Sequence, residues 1–454
     1  MKKNLLLLLL FAAHTIHAQQ TATDSTTKIR LDRIDRLLKV LQEFRIVSYI
    51  QTEWQLAQSP GAVSYAGGNF PAYSNNRFMI RRGRFKIGYE HRNAKDIRVM
   101  EYAFQIDATE RGVQIKELYG VLTDPWIGWF SLEGGIYRHM FGYETAEQPA
   151  FSVSPEIGRM NQTILPNDYD LGEKIIIESP DKFKPVHLRL DAGLVNGVGV
   201  GVGSQTGAYQ SKKDFSGRLL ISKKIEASKG VSINLTAGGS LYYGGVLQST
   251  KNVFAIEENT HNALVYTNIG DSANIYKKYY KRIYSGAHLQ LDVNYKIGST
   301  MLRGEFISGQ QPGTATSSVI PTGVGNAAPG VDLYLRNFNG VIFYVSQTIK
   351  HKINGHPVSH DFTVKFDWYN PNTQIASKNL STVNDTKVSG ADVLYRTVGF
   401  GYVFHPADYV KLVIWYDLVK NPSTNITNYG SDLKDNVLTI RTQFYLDSWW
   451  FNKK

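Results

Sequence analysis

From Ala287 to Ile297 every second residue is apolar: Ala287, Leu289, Leu291, Val293, Tyr295 and Ile297, with Ile283 in phase. His288, Gln290, Asp292, Asn294 and Lys296 alternate with them. A strand sends successive side chains to opposite faces, so this segment predicts one face for an apolar medium and one for water. The same alternation recurs through most of the chain after Arg45. Strands this long, with a pattern clean to both ends, predict an all-β fold: a 16-stranded antiparallel transmembrane barrel.

The connections support that reading. Segments 91–95, 124–128, 180–185, 226–230, 351–357 and 405–408 are short, whereas 142–170, 245–280, 309–333 and 370–391 are long and polar. Short turns on one side and long loops on the other are the layout of an outer-membrane barrel, and an even strand count leaves both ends of the wall on the short-turn, periplasmic side. A soluble sandwich has no reason to keep such a two-sided rhythm.

Ahead of the wall, residues 1–18 read as a signal peptide, with Lys2 and Lys3, an apolar run over 5–13 and a cut after Ala18. Residues 19–44 read as a polar periplasmic linker and a short helix over roughly 28–44. Leu31, Ile34, Leu38 and Leu41 take a/d spacing there, which suits a small dimeric or trimeric coiled coil or, equally, an amphipathic spacer. The barrel takes up 45–454, and Trp449, Trp450 and Phe451 predict an interfacial girdle.

Composition narrows the function. The chain has no cysteine, which excludes disulfides and thiolate metal sites, and no cofactor is expected. A formal charge of +11 predicts attraction for anionic solutes and lipopolysaccharide phosphates. Nucleic acid is not expected as a partner, since the chain shows no basic helix and no aromatic RNA-binding motif. Neither a G-x-S-x-G elbow nor an H-E-x-x-H site is present, so no enzyme is expected.

Alternation also sorts charges onto the wet face. Candidate channel-lining bases are Arg82, Arg84, Lys86, Arg189, Arg218, Lys365, Lys411 and Arg441. Candidate channel-lining acids are Glu101, Asp107, Asp191, Asp292, Asp367 and Asp417. Arg82, Arg84 and Lys86 fall in one column, a positive track for anions, while the acids allow pairing across neighbouring strands. The expectation is a mixed-charge lumen with a modest anion bias. In 186–203 a strand is expected in which Gly197, Gly199, Gly201 and Gly203 leave bare backbone, against which an infolded loop can lie, or else mark a bulged strand end.

Three stretches carry a family resemblance. Leu132-Glu-Gly-Gly-Ile-Tyr-Arg-His-Met-Phe-Gly-Tyr-Glu144, Pro166-Asn-Asp-Tyr-Asp-Leu-Gly172 and Ile80-Arg-Arg-Gly-Arg-Phe-Lys-Ile-Gly88 resemble motifs of the phosphate-selective porin family (porins O and P). Loops rich in Tyr and Asn, with no cysteine, are similar to those of Bacteroidetes-type members. The resemblance implies a trimeric 16-stranded outer-membrane channel with a constriction loop, here 142–170, folded inward after the fifth strand. It carries Arg81, Arg82, Arg84 and Arg138 over as constriction cations, with Arg159 as a further candidate. Asn167 stands where the family keeps an arginine, and the loop holds Glu144, Glu147, Glu156, Asp168 and Asp170.

Two functions follow as expectations. The first is a porin, a passive diffusion channel for small hydrophilic solutes with a modest preference for anions, phosphate among them. The alternative is a structural or adhesive barrel whose long loops bind a partner or surface polymer, with the basic aromatic stretch 275–282 as its face.

Overall fold

The computed structural model describes residues 24–180, 186–200, 210–275, 278–323, 327–375 and 387–448. The signal-peptide segment, the terminal aromatics, Gly201, Gly203, Tyr276 and Lys277 lie outside them. The first nine strands are β1 (Phe44–Ala57), β2 (Asn76–Arg92), β3 (Arg98–Thr109), β4 (Gly112–Thr123), β5 (Phe130–Arg138), β6 (Tyr169–Glu178), β7 (Val186–Val195), β8 (Asp214–Ser228) and β9 (Val231–Leu247). A hairpin of β10 (Val253–Glu258) and β11 (Leu264–Asn268) follows. The remainder are β12 (Tyr279–Tyr295), β13 (Gly298–Gly313), β14 (Leu333–Ile353), β15 (His356–Asn370), β16 (Tyr395–Ala407), β17 (Val410–Lys420) and β18 (Val437–Asp447).

Sixteen of these strands close into an antiparallel barrel. Closure runs from Val47 opposite Asp447 to Ala57 opposite Val437, while β9 pairs directly with β12. The β10–β11 hairpin stands apart from the wall and touches β14 through a short parallel pairing. It falls inside segment 245–280, expected to be a long polar loop. Its two strands are too short to announce themselves against the neighbouring polar residues.

Cross-strand register explains why the alternation was so clean. Leu235, Leu291, Leu302, Val345, Val364, Phe400, Tyr416, Leu438 and Leu56 are successive neighbours on nine adjoining strands. All share the outward face, and Leu289, Phe362, Ile414 and Phe444 extend the belt as exposed side chains. An apolar row running across nine adjoining strands suits contact with lipid, where a Lys or Arg at the centre costs about 2–4 kcal/mol; on β8 the row gives way to the exposed Lys223, which faces Leu235. The row immediately inside reads Arg303, Tyr344, Lys365, Gly399 and Asp417.

Two sequence expectations change here. The strand read over 186–203 ends at Val195, because Gly197 and Gly199 adopt positive φ (83° and 77°) and turn the chain out of the ladder. A Cβ on Gly199 would sit 2.2 Å from the Asn167 Cβ, so the missing side chain admits the end of the segment between β5 and β6. The long-loop side also has one short exception, the two-residue Glu110–Arg111 connection between β3 and β4.

The N-terminal unit is helix α1 (Asp24–Gln42), which begins and ends slightly earlier than the expected 28–44. Its Leu31, Ile34, Leu38 and Leu41 are all exposed.

Candidate functional site

The chain leaves the wall after Arg138 and rejoins it at Tyr169, and residues 139–168 fold into the lumen. Phe141, Met160, Ile164 and Leu165 of this segment form a dry core with Tyr242, Tyr284, Ile307, Phe338 and Tyr369 of the inner wall. Helix α2 (Arg159–Ile164) carries Met160 and Ile164, and Leu165 follows directly at its end. Apolar side chains facing inward from β9, β12, β13, β14 and β15 therefore break the simple polar-lumen rule where the segment lands. The far side of the segment faces a polar cavity of about 360 Å³ lined by residues of β2, β3 and β4.

Polar contacts fix the segment on both sides. Glu305 of β13 accepts from the Tyr143 N–H at 2.6 Å, and the Asn161 side chain donates to both Glu305 (3.1 Å) and Glu144 (2.7 Å). Tyr344 of β14 donates to Glu144, and Asp367 of β15 accepts the Arg159 N–H at 2.7 Å. On the opposite wall Glu156 takes a two-pronged contact from Arg81 (2.6 and 2.7 Å) and lies 3.3 Å from Arg441 and 3.9 Å from Arg82. Arg441 is shared with Glu53. Burial alone would raise the Glu156 carboxyl, but Arg81, Arg82 and Arg441 overcome it and hold it down at about 2. Glu144 lacks such cations; burial, reinforced by Glu305, pushes it up to about 8 against the pull of Asn161 and Tyr344.

The cavity is ringed by cations that strict alternation does not place. Arg81 and Arg82 are consecutive, yet both reach Glu156. On β4 the register shifts between Gln105–Glu117 and Ile106–Ile115, so Lys116 is an extra residue, a bulge. It brings Lys116 to the same cavity as its neighbour-in-space Arg84. Arg84, Lys116 and Arg138 surround one ring, that of Tyr169, at 5.3, 5.9 and 4.7 Å. Arg84 and Arg138 also donate to the Tyr169 hydroxyl.

The remaining candidates fall mostly into pairs. Arg84 meets Asp107 at 3.3 Å, Lys86 meets Glu117 at 2.6 Å, and Arg138 meets Asp168 at 3.4 Å. Glu101 pairs with Arg98, Asp292 with Arg303, and Asp417 with Lys365. Asp191 gathers Arg189 (2.9 Å), Arg218 (3.6 Å) and Lys174 (3.8 Å). Arg159 lies 3.6 Å over the Tyr395 ring and 3.9 Å from Asp435, and Lys411 donates to the Ser152 carbonyl at 3.0 Å. The column of Arg82, Arg84 and Lys86 is thus broken into three partnered cations. Among the described residues Lys116 has no carboxylate at ion-pair distance; its ammonium donates to Gln114 at 3.1 Å. The residues that alternation missed, Arg81 in its inward sense, Lys116, Tyr169 and Glu305, sit at a bulge, at a strand end or opposite the infolded segment.

No protein-family model matches the chain, and no curated protein matches it by sequence. Solved structures do. OprB of Pseudomonas putida aligns with TM-score 0.52 at 10% identity, covering 92% of this chain and 97% of that one. The outer membrane channel DcaP of Acinetobacter baumannii aligns at 0.49 and 11%, covering 89% and 97%. An anion-selective porin from Comamonas acidovorans aligns at 0.49 and 8%, covering 89% and 99%. At such identities the likeness is one of fold: this chain is a closed 16-stranded antiparallel β-barrel, folded like OprB.

Proposed function

We propose that this chain is an outer-membrane porin, a passive diffusion channel that passes small hydrophilic solutes and modestly favours anions. The carrying observation is the 360 Å³ cavity beside the infolded segment, where Arg81, Arg82, Arg84, Lys116 and Arg138 converge and Lys116 keeps no carboxylate partner among the described residues. A partnered arginine presents little net field, so the bias comes from the cation left over. The acids paired with those arginines, Asp107, Glu156 and Asp168, keep that bias modest. The infolded segment sets the passage width, and its contacts with both walls make it a fixed strut. Phosphate belongs within the anion class as the finer reading, and the chain works as a homotrimer whose belt meets lipid and lipopolysaccharide. No catalytic step is assigned to it.

Purified protein in planar bilayers tests this reading. It is expected to give stepwise conductance in KCl and a reversal potential on the chloride side, with phosphate currents compared in the same patch. A silent bilayer or a potassium-selective one overturns the reading. The adhesive alternative is favoured by one observation, the β10–β11 hairpin built into the 248–278 loop. Deleting that hairpin leaves conductance in place if the chain is a channel, and abolishes surface attachment if it is an adhesin.

A further inference from the structure

A second cavity, of about 300 Å³, lies between residues 150–153 of the infolded segment and the inner wall. It reaches Asp408 and Tyr409 at the β16–β17 turn and so lies toward the short-turn end of the barrel. An apolar ring stands in this polar space: Phe151 is 59% exposed. Its ring meets Tyr445 at 5.5 Å and 55°, and Tyr445 stacks on Tyr49 at 6.3 Å. The backbone on either side is pinned, since Gln443 donates to the Ala150 carbonyl (3.1 Å) and Lys411 to the Ser152 carbonyl (3.0 Å). A phenyl ring held rigidly in water loses the burial that normally repays an aromatic side chain, which makes it a platform in want of an apolar face.

The facing wall has the complementary character. Thr348 donates to Asp361 at 2.7 Å, Asp361 meets His405 at 2.8 Å, and the Ser346 and Thr363 hydroxyls lie 2.8 Å apart. Asp292 at the rim is held by Arg303 at 2.9 Å. These carboxylates already have partners, so the wall offers hydroxyls and spare acceptor lone pairs more than net charge. A pyranose ring combines the two properties required: C–H faces that lie on aromatic rings and an equatorial rim of hydroxyls. The volume sits at the small end of ligand sites, about 300–1,000 Å³.

We propose that this cavity is a binding site for a neutral saccharide, stacked on Phe151 and Tyr445 and hydrogen-bonded through its hydroxyls to Thr348 and Asp361. The assignment rests on the diffusion-channel reading for the route by which the sugar arrives. The site slows a sugar against one wall of the passage, giving saturable passage where an unlined pore gives flux linear in concentration.

The test is calorimetric titration of the detergent-solubilised full chain with maltose, run beside bilayer conductance of the same preparation. Saturable maltose binding is expected, about tenfold weaker in Phe151→Ala and retained in Phe151→Tyr, as the loss or survival of one stacked face requires. Thr348→Val provides a second loss-of-binding variant on the opposite wall. Conductance without saturable maltose binding overturns the site and leaves the channel standing; maltose binding without conductance overturns the channel and leaves the site. Binding indifferent to Phe151→Ala, or binding of tetramethylammonium in place of maltose, overturns the saccharide assignment.

Discussion

Glu156 and Arg81 form a two-pronged ion pair across the lumen, with contacts of 2.6 and 2.7 Å. One partner belongs to the infolded segment and the other to the wall, so the pair fixes how far the segment projects. Glu156 is buried and also faces Arg441, which leaves three guanidinium groups converging on the space occupied by one carboxylate and Glu53. Breaking a buried pair from one side costs about 3–5 kcal/mol, because the stranded charge keeps its desolvation penalty.

Removing the carboxylate therefore loosens the segment. Glu156→Gln is expected to turn steady single-channel current into flickering current with a larger mean conductance, while the barrel still inserts. Unchanged current noise would show that the strut is held by its other side alone.

Acid leaves this tether intact. A folded-state value near 2, below the usual carboxylate value, means that stabilisation by the charged form is present above about pH 4.3 and is lost only as pH falls through about 2. Glu144 behaves oppositely. Its folded-state value near 8 lies above the usual one, so the contribution of its neutral form is complete below about pH 4.3 and disappears as pH rises through about 8. Thermal unfolding in detergent is expected at a lower temperature at pH 9 than at pH 5, with a smaller drop for Glu144→Gln; equal drops contradict the assignment.

Lys116 and Lys86 provide a matched pair of substitutions. Lys116→Ala removes a lumen cation that has no carboxylate partner among the described residues and is expected to shift the reversal potential toward zero. Lys86→Ala also deletes a cation but releases Glu117, its partner at 2.6 Å, and so adds a free negative charge. Its shift is expected to be at least as large. If Lys116→Ala leaves selectivity unmoved, the anion bias does not arise at this bulge.

Much of the wall was readable because lipid imposes one rule on every strand. Leu291, Val345, Val364 and Tyr416 obey it as nearest neighbours in register, and Val345→Arg is expected to destabilise the barrel by about 2–4 kcal/mol in lipid-based denaturant titrations. The lumen follows no such rule. Lys116 turns inward only because an extra residue interrupts the β4 register, and a bulge leaves no mark in a hydropathy pattern. Tyr284 and Ile307 face inward as core residues because residues 139–168 land on them. That contact is between segments more than a hundred residues apart in sequence, and alternation along one strand carries no information about it. The glycines at 197 and 199 read as part of a strand because Val198 and Val200 keep its period; their positive φ is a backbone property that the pattern does not encode.

The reversal potential of the purified wild-type protein in a bilayer under a KCl gradient decides whether this barrel is an anion-biased channel. Stepwise conductance with a potential of the chloride-selective sign, reduced in Lys116→Ala, is expected. A potential of the potassium-selective sign, or no conductance from inserted barrels, would contradict that reading.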